Sequence, residues 1–224
     1  MKIKRKFFYI KCIIMFASEK EKLIRELIGK GYLKTPAIID AFKKIDRADF
    51  VPPNLKPEAY INEPLPIGFG QTISQPLTVA FMLELLKPRL GQKILDIGSG
   101  SGWQTALLAQ IVGEKGKVFG VEIIPELYEF GEKNVAKYDF IKSGIVKVIL
   151  SNGSVGLENE APFDGIIAGA MAEKIPKTLR RQLKVGGKMV IPARGSVWLI
   201  IKKAENEFEE YEYPGFAFVP LVER

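Results

Sequence analysis

After residue 92 the chain alternates short runs of Val, Ile, Leu and Phe with longer segments whose apolar residues recur every three or four positions. The short runs predict buried strands, and the longer segments predict amphipathic helices. Such alternation with short links is typical of an α/β fold, in which a mostly parallel sheet carries helices on both faces. The predicted elements are, in order, QKILDIG, WQTALLAQIVG, KVFGVEI, PELYEFGEKNVAKY, IVKVILS, FDGIIAGA, IPKTLRRQLK, GKMVIPA and VWLIIKKA.

The chain ends with EFEEYEYPGFAFVPLV, whose pattern predicts a further, antiparallel strand at the C-terminal side of the sheet. The first part of the chain is different. SEKEKLIRELIGK, residues 18–30, has a Ser cap, an acidic first turn and apolar residues at helical spacing. A second helix is predicted with Pro36 in its first turn, and a third begins at Pro76, whereas the prolines of DFVPPNLKP interrupt regular structure. The first two helices predict an N-terminal helical cap.

A chain of 224 residues has room for one well-buried α/β domain. We therefore expect one domain over residues 17–224, with a cap over 17–75 and a core with the C-terminal strands over 76–224. Residues 1–16 form an N-terminal extension in this scheme, and Met15 is an alternative start.

The net charge of +7 is unevenly distributed, because five positive charges and no acid lie in the extension, MKIKRKFFYIKCIIMF. Beyond it Lys and Arg alternate with acids, as on a solvated surface, so the sequence does not predict nucleic-acid binding. Lys11 interrupts the apolar part of the extension, which is too short to span a bilayer and has no small-residue cleavage site after it. We expect a cytoplasmic protein with no stable membrane association. Nothing in the sequence demands a partner subunit, which favours a monomer.

The sequence has no His, and Cys12 is its single Cys. This composition excludes a His-based catalytic triad, a zinc cluster and a disulfide. We expect no metal, and any enzyme here works without imidazole.

A glycine-rich segment, ILDIGSGSGW, follows a predicted strand and opens a predicted helix. Its glycines stand at 98, 100 and 102, and Trp103 occupies the place of the third glycine in a dinucleotide fingerprint. The G-x-G-x-G spacing suits the loop of methyltransferases that use S-adenosylmethionine. We therefore predict a Rossmann-like S-adenosylmethionine-dependent methyltransferase fold. The alternative is a loop used only for tight packing.

Two further strand ends carry polar residues that suit a nucleoside. Glu122 ends the second predicted strand, where a carboxylate can accept both ribose hydroxyls, unless it is an ordinary strand-end charge. Asn152 follows the third strand, and its side chain either pairs with the amino edge of adenine or belongs to a plain Asn-Gly turn. Asp96 either reaches the cofactor ammonium through water or caps the glycine loop. The predicted cofactor residues of this region are Asp96, Gly98, Ser99, Gly100, Gly102, Glu122, Ile123, Asn152 and Gly153.

Over almost everything after residue 18 the chain resembles the protein-L-isoaspartate O-methyltransferases, which methylate an abnormal carboxylate at damaged Asp and Asn sites. The motif specific to this family is LPIGFGQTISQP, whereas the glycine loop is common to many methyltransferases. The segments that carry the resemblance are AYINEPLPIGFGQTISQP (59–76), ILDIGSGSGWQTALLA (94–109), APFDGIIAGA (161–170), IPKTLRRQLKVGGKMVIP (175–192) and FVPLV (218–222).

The resemblance implies that Thr72, Ile73 and Ser74 form a turn that lies over the cofactor, binds it and lines the methyl-transfer site, and that Ser74 is the catalytic residue. A carboxylate is already ionised at pH 7, so its attack on a sulfonium methyl requires no general base. Ser74 would donate a hydrogen bond to the carboxylate and orient it. The alternative is a Ser74 that caps the helix starting at Pro76. The implied product is S-adenosyl-L-homocysteine, and the implied partners are isoaspartyl-containing proteins and peptides.

The chain departs from the family pattern at Ser151-Asn152-Gly153, where Gly-Asp-Gly is usual, and in the segment 168–173. Two other functions therefore remain open: a carboxyl methyltransferase for one dedicated peptide or small acid, and a binding module that retains the fold without catalysis. A membrane or nucleic-acid protein that acts through its basic extension is a third.

Overall fold

The computed structural model describes residues 18–222 of the 224-residue chain. The predictions for residues 1–16, including the alternative start at Met15, lie outside the described residues.

The N-terminal cap begins with two helices, α1 (Glu19–Gly29) and α2 (Pro36–Lys44). Ser18 and Glu21 form a reciprocal capping box at the start of α1, because each side chain accepts a hydrogen bond from the other residue's backbone N–H. Both helices follow the sequence prediction. The proline-rich segment after them folds into two short 3-10 helices, Arg47–Phe50 and Pro53–Glu58.

A β-hairpin comes next, formed by the antiparallel strands β1 (Leu65–Gly68) and β2 (Gln71–Ile73). The sequence prediction of a turn at Thr72, Ile73 and Ser74 is wrong in this detail. The turn lies two residues earlier, at Phe69 and Gly70, where positive φ angles of 53° and 70° reverse the chain. Helix α3 (Pro76–Leu86) follows directly.

The main sheet has the order β5-β4-β3-β6-β7-β8-β9. Its first five strands in that order are parallel, and β8 and β9 are antiparallel additions beside β7, which confirms the mostly parallel sheet and the antiparallel C-terminal side. The strands are β3 (Lys93–Ile97), β4 (Lys117–Glu122), β5 (Val146–Leu150), β6 (Phe163–Ala168), β7 (Leu183–Ala193), β8 (Ser196–Ala204) and β9 (Glu207–Pro214).

Helices cover both faces of this sheet. On one face α3, α4 (Trp103–Val112) and α5 (Pro125–Ala136) pack with the cap over one apolar cluster. On the other face the short helix α6 (Lys177–Arg181) buries Leu179 in a second cluster. Helix α6 is shorter than predicted because Leu183 already belongs to β7. Two 3-10 turns, Gly153–Val155 and Glu158–Glu160, complete the chain between β5 and β6.

The cap is joined to the core by a tyrosine of the segment after α5. Tyr138 Oη donates a hydrogen bond to Asp49 Oδ2 over 2.8 Å and accepts one from the backbone N–H of Asp46, also over 2.8 Å. Tyr60 donates a further hydrogen bond to Asp46. These contacts fix the 3-10 helix that begins at Arg47 against the core.

Candidate active site

Two adjoining crevices lie at the carboxyl edge of the parallel strands. This is the edge at which open α/β sheets bind ligands. The first encloses about 490 Å³ and the second about 350 Å³, including space open to solvent. Both are lined by Thr72, Gly98, Gly100 and Gly169, so they form one continuous cleft between the glycine loop and the hairpin.

The glycine loop connects β3 to α4 through a backbone that few side chains tolerate. Gly98 and Gly100 have φ angles of 68° and 51°. A Cβ at Gly100 would lie 3.4 Å from Ile67 Cδ1 of the hairpin, and one at Gly169 would lie 2.9 Å from the Gly98 carbonyl oxygen. The glycines therefore bring three backbone segments close together and leave an open cradle between them.

Glu122 lies at the end of β4 on the first crevice, and the residue is 5% exposed. Its Oε2 accepts a hydrogen bond from Gly100 N–H over 2.9 Å, and its Oε1 accepts from Ile123 N–H and Ile124 N–H over 2.9 and 3.0 Å. The carboxylate thus orients the glycine loop. Two carboxylate oxygens provide about four acceptor positions, so capacity remains at Oε2 for a ligand hydroxyl.

The second crevice is lined by the hairpin residues Thr72, Ile73 and Ser74 together with residues of the glycine loop. Within residues 18–222 the hydroxyls of Thr72 and Ser74 make no hydrogen bond. The alternative of Ser74 as a helix cap is wrong, because the N-cap residue of α3 is Gln75. Ser74 instead contributes its carbonyl to the fold and leaves its hydroxyl available.

Two buried polar groups of the second crevice also lack a partner. Ser99 Oγ and Trp103 Nε1 make no hydrogen bond to the described residues, although the two residues are only 8% and 3% exposed. Buried polar groups in folded proteins are nearly always hydrogen-bonded to protein, water or ligand. The crevice therefore fits a ligand that has polar groups of its own.

Nine of the twelve predicted site residues line the cleft: Thr72, Ile73, Ser74, Gly98, Ser99, Gly100, Glu122, Ile123 and Gly153. The other three do not line it. Gly102 is needed for packing, since a Cβ there would lie 2.7 Å from Val135 Cγ2 of α5. Asn152 Oδ1 accepts hydrogen bonds from Ser154 N–H and Oγ over 2.9 and 2.8 Å and so starts a 3-10 turn.

Asp96, the third of these, is fully buried between β3 and α4. Its oxygens accept hydrogen bonds from Gln104 Nε2 and Thr105 Oγ1 over 2.7 and 2.6 Å. It therefore supports the helix after the glycine loop and does not face the cleft. Burial raises the pKa of this carboxyl to about 6, the charge of Glu122 adds to the rise, and the two hydrogen bonds oppose it.

The raised pKa of Asp96 gives a testable pH dependence. The folded state holds the proton more tightly than the unfolded chain, whose ordinary pKa is 3.8. The contribution of Asp96 to stability is thus fully present below pH 3.8 and is lost as the pH rises through about 6. Asp96→Asn does not titrate, so the free energy of unfolding of D96N should rise relative to wild type by about 2–3 kcal/mol between pH 3.5 and pH 7. Urea unfolding across this range measures the difference, and parallel profiles would contradict it.

Sequence reasoning missed the part of the cleft that comes from distant segments. Ile67, Ala170 and the C-terminal residues 219–222 also line the first crevice. The C-terminal residues are held there by Met171, whose N–H donates to the Val219 carbonyl and whose carbonyl accepts from Leu221 N–H, both over 2.8 Å. The motif FVPLV was the available signal, but it carries no chemical group that predicts a place in the site.

Within the described residues 18–222, no helix is long and apolar enough to cross a membrane. The same residues contain no group of three or more acidic, His or Cys side chains that could hold a metal ion.

Comparison with known proteins gives one consistent family. The model of the family Protein-L-isoaspartate(D-aspartate) O-methyltransferase (PCMT) matches residues 18–224. A protein-L-isoaspartate O-methyltransferase of Methanopyrus kandleri is 42% identical over 212 residues, which are 93% of this chain and 93% of that protein. The one of Staphylothermus marinus is 43% identical and covers 92% of this chain and 95% of its own length.

A solved structure agrees with this result. The crystal structure of a candidate protein-L-isoaspartate O-methyltransferase of Plasmodium falciparum, in complex with S-adenosyl-L-homocysteine, superposes with a TM-score of 0.81 at 26% identity. It covers 92% of this chain and 99% of that one. The predicted fold class is confirmed. With a family model that spans nearly the whole chain and relatives above 40% identity, the chain belongs to the protein-L-isoaspartate(D-aspartate) O-methyltransferase family.

Proposed function

We propose that the cleft holds S-adenosylmethionine along the first crevice and the carboxylate of an L-isoaspartyl residue in the second, beside Ser74. As a family member the chain is an S-adenosylmethionine-dependent protein-L-isoaspartate O-methyltransferase. One observation carries the assignment to this cleft. The two crevices meet at Gly98 and Gly100, with a buried carboxylate on one side and, on the other, a serine hydroxyl that has no partner within residues 18–222.

Residues of the first crevice suit the adenosine part of the cofactor. Glu122 would accept a ribose hydroxyl with its remaining lone pair, and Ile123 and Gly153 would pack along the base. Gly98, Ser99 and Gly100 would lie against the methionine part, where the two glycines leave space because they have no side chain. A direct role for Asp96, Gly102 or Asn152 has less support, because they lie outside the lining of the cleft.

The described residues that line the second crevice, among them Thr72, Ser74, Ser99 and Gln104, include no charged side chain. A negatively charged side chain there would repel the substrate carboxylate, and a positively charged one would repel the cationic sulfonium. Ser74 donates its O–H to the carboxylate and fixes its orientation. The carboxylate is ionised at neutral pH, so no residue has to remove a proton.

Catalysis by these residues then consists of positioning and of excluding water. When bound, S-adenosylmethionine supplies an electrophilic methyl group, to which a carboxylate oxygen bonds as the carbon–sulfur bond breaks and its electron pair stays on sulfur. Holding the oxygen in line at about 3 Å can supply several kcal/mol by proximity. The apolar side chains of Ile73 and Val79 keep the surroundings of the two charges dry.

The remaining predictions are part of this proposal. The cleft is lined both by the predicted cap and by the predicted core, which supports one domain over residues 17–224. Action as a monomer stays a prediction. We expect no metal requirement, because the nucleophile is already ionised, and we keep the cytoplasmic location as a prediction.

The proposal is tested with three matched peptides that differ at one residue: L-isoaspartyl, L-aspartyl and asparaginyl. With methyl-labelled S-adenosylmethionine we expect methyl ester only on the isoaspartyl peptide, measured as labelled methanol released after mild base. Equal labelling of the aspartyl peptide would indicate a different carboxyl methyltransferase. Binding of S-adenosyl-L-homocysteine by calorimetry with no labelling of any peptide would indicate a module that binds the cofactor without catalysis.

A further inference from the structure

A buried arginine lies directly beneath the hairpin that carries Ser74. Arg47 is 2% exposed, and its guanidinium has no carboxylate within ion-pair distance in the described part of the chain. It donates instead to backbone carbonyls. Nη1 donates to Ala59 over 2.8 Å and to Ile61 over 3.3 Å, and Nη2 donates to Glu63 and Ser74, each over 3.0 Å.

The two acceptors of Nη2 stand on opposite sides of the hairpin. Glu63 precedes β1, and Ser74 follows β2. One nitrogen thus closes the open end of the hairpin, at the point where the chain leaves β2. The Ser74 carbonyl is held by Arg47, and Ile73 before it is paired with Leu65 of β1. Because the backbone is held on both sides of Ser74, the direction of its Cα–Cβ bond is restricted, and with it the region that the hydroxyl can reach.

The same guanidinium also contacts the opposite wall of the second crevice. Arg47 Cζ lies 5.3 Å from the ring centroid of Trp103, the first residue of α4 after the glycine loop. Phe42 of α2 also packs against Trp103 in a T-shaped arrangement, with the two ring centroids 5.5 Å apart. Arg47 therefore joins the hairpin wall to the glycine-loop wall and sets the distance between them.

An apolar side chain would fill this space at lower cost. Burying a charge without an ionic partner costs several kcal/mol unless hydrogen bonds replace the lost hydration. Burial lowers the pKa of Arg47 to about 10, which leaves the group charged at neutral pH. Its Nε lacks a partner in the described residues, so even the bonds present do not satisfy it fully. A fold that retains such a group uses the directional bonds that only a guanidinium provides.

We propose that Arg47 is a positioning residue for methyl transfer: by binding the Glu63 and Ser74 carbonyls and stacking on Trp103, it holds the Ser74 hydroxyl at the distance from the glycine loop that the reaction needs. This inference rests on the proposed function of the cleft. It assigns to Arg47 an effect on turnover that acts through Ser74, in addition to any effect on folding.

The test compares Arg47→Met, Arg47→Lys and Ser74→Ala, singly and as the R47M/S74A pair. We expect R47M to lower kcat about 30–100-fold, because a displacement of about 1 Å costs that much in a reaction that depends on proximity. R47K retains the charge but cannot span the four carbonyls, and we expect it to restore part of the loss. In the R47M/S74A double variant, the decrease in kcat should be smaller than the product of the two single decreases, because both changes act on the same hydroxyl.

The matched control is Tyr138→Phe, which loosens the attachment of the same 3-10 helix without contacting the hairpin. If R47M and Y138F lower the melting temperature alike and also lower kcat alike, Arg47 is only structural and the proposal is overturned. Multiplicative losses in the R47M/S74A pair would overturn it as well.

Amide hydrogen exchange separates this inference from the function on which it rests. In R47M we expect faster exchange confined to residues 63–77, and this result supports the anchoring even if the wild-type chain methylates none of the peptides. If exchange in R47M is instead faster over the whole cap, as we expect for Y138F, the anchoring of the hairpin by Arg47 is overturned. If the wild-type protein transfers no labelled methyl group to the isoaspartyl peptide, that result overturns the proposed function and not the anchoring.

Discussion

Replacing Ser74 with alanine is expected to lower kcat/KM for an isoaspartyl peptide about 100-fold, because the hydroxyl orients the carboxylate and a misplacement of about 1 Å costs about that much in a reaction that depends on proximity. The hydroxyl is the part of the second crevice that the fold itself does not use, since within the described residues it has no partner. The main-chain carbonyl of Ser74, which Arg47 binds, is unchanged in the variant. The loss therefore reports the hydroxyl alone.

The affinity for S-adenosyl-L-homocysteine should change by less than about twofold in S74A, because the cofactor contacts we assign lie on the glycine loop and Glu122. Calorimetric titration with S-adenosyl-L-homocysteine and steady-state kinetics with the isoaspartyl peptide measure the two quantities separately. Ser143→Ala is the matched control, since Ser143 is an exposed serine whose hydroxyl donates to the Phe140 carbonyl, and neither crevice is lined by it. Equal losses of turnover and of cofactor affinity would identify Ser74 as a structural residue.

Replacing Glu122 with glutamine should weaken the binding of S-adenosyl-L-homocysteine by about 100-fold or more, because it removes an acceptor for ribose and disorders the loop that cradles the rest of the ligand. The carboxylate now accepts three backbone N–H groups. The amide of glutamine has one oxygen, so its NH₂ group must face at least one backbone N–H. The best orientation keeps Ile123 and Ile124 bonded and leaves Gly100 N–H without an acceptor.

Glu122→Gln should also lower the free energy of unfolding by about 1–3 kcal/mol, the usual cost of an unsatisfied buried donor. Glu126→Gln is the control, because Glu126 is an exposed acid in the first turn of α5 and has the same change in charge. Calorimetry and thermal unfolding of both variants check the prediction. Unchanged affinity in E122Q would contradict the assignment of the first crevice to the cofactor.

The candidate site shows which residues a local pattern can predict. Gly98, Gly100 and Glu122 were predictable because their roles follow from where a strand ends, and the ends of parallel strands share one edge of a sheet. Gly102 belongs to the same motif but packs against Gly131 and Val135 of α5. Both roles require a residue without a side chain. The sequence pattern therefore does not distinguish a glycine that leaves space for a ligand from one that allows a helix to pack closely.

Asp96 and Asn152 illustrate a second limit. A polar side chain beside a glycine loop predicts a ligand contact only if no other residue competes for it. Asp96 is occupied by Gln104 and Thr105, which α4 brings back over the strand, and Asn152 Oδ1 is occupied by Ser154. Each carboxylate or amide accepts from the donors that the fold brings closest. The distance between acceptor and donor depends on the tertiary structure and does not follow from the local sequence.

The sequence by itself determined the alternation of strands and helices, the parallel sheet with its antiparallel C-terminal side, the family, and the two segments that face each other across the cleft. These follow from periodicity and from short motifs, which are local properties of the chain. Only the tertiary structure decided that the hairpin is closed by Arg47, that residues 219–222 complete the first crevice and that Asp96 binds Gln104 and Thr105 of α4. Those features depend on contacts between residues far apart in the chain, and such contacts arise only when burial of the apolar clusters brings their elements together.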